Sequence, residues 1–197
     1  WVSEPDKGQS DAMNKGFRMS KGDIIGYLNA DDSYEEGIFK DICEVFFRYP
    51  EIKIVHGQIR MIFSDGTSII QVGGNSYKKI ILHFKYSFPN NPVGYFYRRE
   101  IQESIGNFPV DNHYTMDYWF LLQAFKRTNP YCLNRLFGNY FMSVENKTSN
   151  IDTFDLCKKT FINFALNNDQ KQIFVYYLFL YKFKFIQISK KLLSILH

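Results

Sequence analysis

The sequence predicts an α/β fold with a partly parallel sheet. In the first half, short apolar runs alternate with segments whose apolar residues recur at helical spacing. In the second half, strands and helices mix. Composition agrees: over 197 residues, 45% apolar and 22% charged supports the core of one ordinary domain, with or without an appendage, and excludes wholesale disorder.

The elements follow in chain order. Trp1 to Glu4 suits the end of a strand, and Pro5, Asp6 and Gly8 a turn. Ser10 is a natural cap for a helix to about Met19, with Met13 and Phe17 on one face. Gly22 stops it, and residues 23–29 read as a short buried strand ending in Ala30-Asp31-Asp32-Ser33. A helix from about Glu35 to Arg48 carries Ile38, Ile42, Val45 and Phe46 on one face, and Pro50 closes it. Strands are predicted at Ile52–His56 and Gln58–Phe63. Ser64-Asp65-Gly66-Thr67 then turns the chain into a return strand at Ser68–Val72. The run Tyr77–Tyr86 fits neither period. A strand at Val93–Tyr97, a short helix from Arg99 to Gly106 and a helix from Met116 to Arg127 come next. Strands are predicted at Tyr131–Leu133 and Tyr140–Val144, and a helical tail from Phe154.

Charge and cysteines narrow the function. The 24 basic and 20 acidic residues leave +4. All five lysines after Asp169 (Lys171, Lys182, Lys184, Lys190, Lys191) lie where acids are absent, so the remainder is 19 against 20. A nucleic-acid binder carries basic charge through its fold, so that class is disfavoured. Three widely spaced cysteines exclude a disulfide framework or a cysteine zinc site and fit a reducing compartment. The four histidines lack metal-ligand spacing. The apolar run Ile173–Tyr181 is well short of the ~20 residues that span a bilayer.

Three features bear chemistry. Asp31 and Asp32 follow an apolar strand. Adjacent carboxylates repel, and a divalent cation sharing phosphate oxygens relieves that repulsion. They suit either a metal–diphosphate site or an exposed turn capping the next helix. Asp117 opens an apolar helix, as a general base or as a carboxylate favoured by the helix dipole. Asp6, Gly8, Asp11, Asn14 and Gly16 form the third group. There Asp11 and Lys15 at i, i+4 equally suit a surface ion pair.

Together, Ser3 to Gly8, Asp11 to Gly16 and Gly22 to Asp32 resemble the inverting family 2 glycosyltransferases of the GT-A fold, in the bacterial branch that builds surface polysaccharides. Phe96-Tyr97-Arg98-Arg99, Gly106-Asn107-Phe108 and Met116-Asp117-Tyr118 extend the resemblance, which covers about residues 1–150. It implies a Rossmann-like mixed sheet flanked by helices, with residues 151–197 as a helical C-terminal extension. It implies transfer of a sugar from a nucleotide-diphosphate donor to an acceptor hydroxyl, with inversion. Asp31 and Asp32 would hold Mn²⁺ or Mg²⁺. Asp6, Gly8, Asp11, Asn14, Asn29 and Asp31 would line the donor site, and Asp117 would be the catalytic base. The implied acceptor is a glycan or lipid-linked oligosaccharide at the inner face of the cytoplasmic membrane. Asn29 replaces the first acid of the Asp-x-Asp pattern. Asn90-Asn91-Pro92 stands where relatives often carry a His-Gln-like acceptor-side segment. No Gln-x-x-Arg-Trp is present, against a processive polymerase.

The resemblance also implies that the family's first strand–helix–strand section, which supplies the base pocket, is missing. A shortened chain of this kind is expected to be inactive by itself and to expose a sheet edge. A non-catalytic sugar-nucleotide or glycan-binding remnant is the alternative, although retention of Asp31, Asp32 and Asp117 favours the enzyme. The tail's lysines and aromatics suit a peripheral membrane contact or a helix packed on the domain.

Overall fold

The computed structural model describes residues 3–73, 77, 80, 89, 91–142, 153–178 and 181. Helix α1 (Gln9–Met19) leads to β1 (Ile24–Ile25) and β2 (Ser33–Tyr34). Helix α2 (Ile38–Arg48), β3 (Ile54–Phe63) and β4 (Ser68–Val72) follow. A 3₁₀ turn at Pro92–Gly94 then opens β5 (Tyr95–Arg98), which runs directly into α3 (Arg99–Ile105). Helix α4 (Met116–Arg127), β6 (Tyr131–Met142) and α5 (Thr153–Asn168) complete the order.

The sheet runs β1-β5-β3-β6-β2, with β4 paired to the far half of β3. β3 and β6 are parallel and the other pairs antiparallel. The predicted mixed α/β sheet is therefore present. Side chains alternate across it with the period of two that strands impose. Ile54, Tyr95 and Tyr97 face one core with Met13 of α1, Ile101 of α3, and Phe120 and Leu121 of α4. Val55, Phe96 and Phe137 face the other, against Ile38, Ile42, Val45 and Phe46 of α2. Cys157, Phe161, Phe164 and Ala165 of α5 belong to the first core, so the C-terminal helix shares the packing of α4.

Several elements differ from expectation, each for a tertiary reason. α1 starts one residue before Ser10, which is not its cap. Gly8 caps instead, at φ 108, and its carbonyl accepts from the N–H groups of Asp11 and Ala12. The Ser10 hydroxyl is spent on the Met116 sulfur and the Asn112 carbonyl. α2 starts at Ile38, because residues 33–35 are drawn into the sheet. Ser33 and Tyr34 pair with Asn139 and Gly138, and Glu35 N–H donates to the Phe137 carbonyl. Only Ile24–Ile25 of the predicted 23–29 strand is paired.

The two runs before Phe63 are one strand with an irregularity at Gly57. The two predicted strands after Tyr131 are likewise one, Tyr131–Met142, despite the polar stretch at its centre. Its Gly138 is required by close approach: a Cβ there would lie 2.3 Å from the Ser33 carbonyl oxygen. Val93 and Gly94 belong to the 3₁₀ turn and not to β5. The hairpin to β4 and the extents of α3 and α4 match expectation. Nearly all of 77–86, the end of the predicted 140–144 strand, Trp1, Val2 and 182–197 lie outside the described residues.

Candidate active site

The Asp31-Asp32 turn sits between the β1 and β2 edges, and its two carboxylates have different fates. Asp32 is buried, 8% exposed, whereas Asp31 is exposed. Asp32 Oδ2 accepts from Asn29 Nδ2 at 2.8 Å and from Asn91 Nδ2 at 2.9 Å. Its Oδ1 accepts from the Phe141 N–H at 3.3 Å. Burial raises the Asp32 carboxyl above its ordinary value; the Asn91 and Asn29 donors oppose this, and the Asp31 charge adds to the rise. Asn29 is held in turn by Gln9 Nε2 at 2.9 Å, which ties the start of α1 to the carboxylate pair.

Asp117 lies in the first turn of α4, at 2.7 Å from the donating hydroxyl of Tyr95. Tyr95 is buried, while Asp117 stays partly accessible. Burial pushes the Asp117 carboxyl up to about 6, and the Tyr95 hydroxyl opposes the shift. A group that titrates near neutrality is suited to take a proton from a hydroxyl. The helix N-terminus favours the charged form, and desolvation outweighs it here.

One short segment joins the two carboxylates. Asn91 grips Asp32, and Tyr95 grips Asp117. The grips are four residues apart, so their Cα atoms are separated by at most ~14 Å at 3.3–3.6 Å per residue. The Asn91 side chain is fixed at its other end, where Oδ1 accepts from Val93 N–H at 2.8 Å. The start of α1 closes the same end of the molecule: a Cβ on Gly8 would lie 3.4 Å from His113, in the loop that leads into α4.

The remaining predicted donor-site residues are placed as follows. Asp6 is exposed and accepts from Gly8 N–H at 2.8 Å, shaping the turn. Asp11 accepts from Lys7 N–H at 3.0 Å and pairs with Lys15 at 3.6 Å, contacts that lower its pKa, the Lys7 bond foremost. Asn14 is buried and spends both ends of its amide on Phe108: Nδ2 donates to the carbonyl and Oδ1 accepts from the N–H, each at 2.8 Å. Asn14 thus clamps α1 to the 106–108 turn. Asp32 is linked through Asn29 to Gln9, the residue after Gly8. Asp117 reaches them through Asn91 and Tyr95.

Residues 2–106 match the family described as Glycosyl transferase family 2. The chain belongs to that family. The matched stretch includes Asp31, Asp32 and Asn91 and ends before Asp117. An uncharacterized glycosyltransferase of Nostoc sp. is 28% identical over 117 residues, covering 56% of this chain and 35% of that protein. Crystal structures of S. aureus TarS 1-349 share the fold. With UDP bound, the TM-score is 0.58 at 16% identity, covering 83% of this chain and 46% of the TarS 1-349 chain. With UDP-GlcNAc, it is 0.62 at 15% identity, covering 85% and 50%. The chain therefore spans about a third to a half of the relatives it matches. The GT-A fold expected from the family resemblance is thereby present.

Among the described residues no group of three or more His, Cys, Asp or Glu side chains is placed to hold a metal ion. The two-carboxylate turn still fits a hard cation that takes one or two protein oxygens and fills its shell with phosphate and water. Asp31 is exposed, and Asp32 Oδ2 is already committed to two amides. Asp31 is thus the carboxylate of the pair that faces solvent, with Asp32 behind it.

Sequence reasoning did not single out Gln9, Tyr95 or a role for Asn91 at Asp32. Asn91 had a signal, since an amide-rich Asn90-Asn91-Pro92 interrupts an apolar stretch. Tyr95 looked like one more strand aromatic. The two arginines of Phe96-Tyr97-Arg98-Arg99 act structurally. Arg98 caps the Phe46 and Ile52 carbonyls, and Arg99 binds the Gly22 carbonyl and the Ser20 hydroxyl.

Proposed function

We propose that this chain is the catalytic part of an inverting glycosyltransferase that takes a nucleotide-diphosphate sugar as donor. The observation that carries the reading is the Asn91–Tyr95 segment. It holds an acidic turn at one end and a carboxylate of near-neutral pKa at the other. One rigid segment thereby supports both a turn for the diphosphate, at Asp31, and a group to accept a hydroxyl proton, at Asp117.

Mn²⁺ or Mg²⁺ would be held by Asp31, supported by Asp32. When bound, it supplies positive charge to the departing diphosphate. The chain's own residues do the rest. Asn29 and Asn91 fix the Asp32 carboxylate and favour its charged form against the effect of burial. Asp117 accepts the proton of the acceptor hydroxyl as the acceptor oxygen bonds to the anomeric carbon. The bond from that carbon to the diphosphate oxygen breaks on the opposite face, and the configuration inverts. Tyr95 orients Asp117. TarS has been crystallised with UDP and UDP-GlcNAc, which supports testing a uridine nucleotide first. A glycan or lipid-linked acceptor in surface-polysaccharide assembly, at the cytoplasmic face of the membrane, completes the proposal on the family resemblance.

The test is thermal stabilisation by UDP, GDP and dTDP, with and without Mn²⁺, on this chain and on Asp31→Ala. A Mn²⁺-dependent shift that Asp31→Ala abolishes is expected. A shift of equal size in the variant would remove the diphosphate site from this turn.

A further inference from the structure

The helical stretch at 171–178 has two faces with different partners. Tyr176 is 1% exposed, its ring 4.9 Å from that of Phe161, and Ile173 packs against the same core. This inner face docks the stretch on α5. The outer face carries Phe174, Tyr177, Leu178 and Tyr181, at 73%, 46%, 45% and 72% exposure. Their spacing of i, i+3, i+4 and i+7 places them on one stripe. Exposed apolar patches of this kind mark interaction surfaces.

Asp155 of α5 is paired with Lys159 at 2.8 Å, and lysines are in excess from residue 170 onward. Lys171, one turn before Phe174, is exposed. Lys158 of α5 lies with its ammonium 5.8 Å from the centre of the Tyr177 ring. After Asp169 the sequence has five lysines and no acidic residue. Aromatics with a polar tip, next to uncompensated lysines, match the layered chemistry of a membrane surface, where rings enter the headgroup boundary and ammonium groups meet anionic phosphates. No helix among the described residues is long and apolar enough to cross a bilayer, so the contact this geometry provides lies in the interface plane.

We propose that the Phe174–Leu178–Tyr181 face is a docking surface for anionic phospholipid. It would set the domain against a membrane while Ile173 and Tyr176 keep the stretch fixed to the core. A second copy of the chain would want a neutral or charge-complementary partner face, and the one-sided lysine content disfavours that arrangement. The inference is independent of the transfer reaction.

The test is flotation of the whole chain with vesicles of phosphatidylcholine alone and vesicles also containing phosphatidylglycerol, at low and raised salt. The variants are Phe174→Ser/Tyr181→Ser and Lys171→Gln/Lys182→Gln. The replaced aromatics are largely exposed, and thermal unfolding checks that each variant folds. Binding is expected with phosphatidylglycerol only. It should weaken about fivefold per lysine removed, the equivalent of about 1 kcal/mol, and fall with salt. The aromatic variant should lose it. Three results would overturn the proposal: no flotation, flotation indifferent to phosphatidylglycerol, or undiminished flotation of the aromatic variant. Self-association of the wild type without vesicle binding, abolished in the aromatic variant, would assign the face to a second copy instead.

Discussion

Replacing Asp117 by Asn removes a charge that the folded protein holds at a cost. The carboxyl titrates at about 6 when folded, against an ordinary 3.8, because it is desolvated. The folded state therefore binds this proton more tightly than the unfolded chain does. The associated stability is fully present below 3.8 and is lost as pH rises through about 6. About two pKa units at 1.36 kcal/mol each amount to about 3 kcal/mol, an upper figure for a group that is partly accessible. Asn has nearly the same shape, cannot ionise, and still offers an oxygen to the Tyr95 hydroxyl. Asp117→Asn should thus be more stable than wild type at pH ~8 by about 2–3 kcal/mol, and equally stable near pH ~4. Sugar transfer should be lost when the substitution is made in a chain that carries the family's first strand–helix–strand section. Urea unfolding of both proteins across this range measures the difference directly. A variant no more stable at high pH, or a gap that does not change with pH, would refute the assignment of Asp117 as a desolvated carboxylate held ready for proton transfer. A stabilised variant that retained full turnover would refute its role as the base.

Two further outcomes follow from neighbouring groups. Asn91→Ala removes one of two amide donors from Asp32 Oδ2, a hydrogen bond to charge worth about 1.5–3 kcal/mol, and should weaken Mn²⁺-dependent UDP binding about tenfold by calorimetry; unchanged affinity would show that Asp32 does not support the nucleotide site. His56 is fully buried, and desolvation pushes it down to about 4 from 6.5. Its neutral form contributes stability that is present above about 6.5 and lost as pH falls towards 4, by up to about 3 kcal/mol; His56→Leu should flatten that slope in unfolding experiments, and an unaltered slope would move the acid sensitivity to another group.

The helices were legible where apolar periodicity and stop signals agree. Met116–Arg127 has a dense apolar stripe, and Arg99–Ile105 ends at Gly106 with φ 93. Hairpin chemistry at Asp65-Gly66 located the β3–β4 turn. Strand joins were less legible. Asn134, Arg135 and Asn139 break the apolar pattern of β6, yet the strand continues because its backbone pairs with β3 on one side and β2 on the other. Helix starts suffered similarly. Ser10 has the chemistry of a cap, but the loop before α4 claimed its hydroxyl.

For the site, residue chemistry and family resemblance together picked out Asp31, Asp32 and Asp117 before any fold was known, because adjacent carboxylates after an apolar strand and a carboxylate opening an apolar helix are features of local sequence. Their electrostatic states were not local. Only the tertiary structure buries Asp32 beneath two amides while leaving Asp31 in solvent, and sets Tyr95 against Asp117. It likewise brings Asn14, a donor-site candidate in the sequence, against Phe108, 94 residues away. Desolvation and hydrogen bonding depend on which distant groups arrive at a side chain, and apart from Asn29 at Asp32 those groups come from positions 22 to 109 residues away.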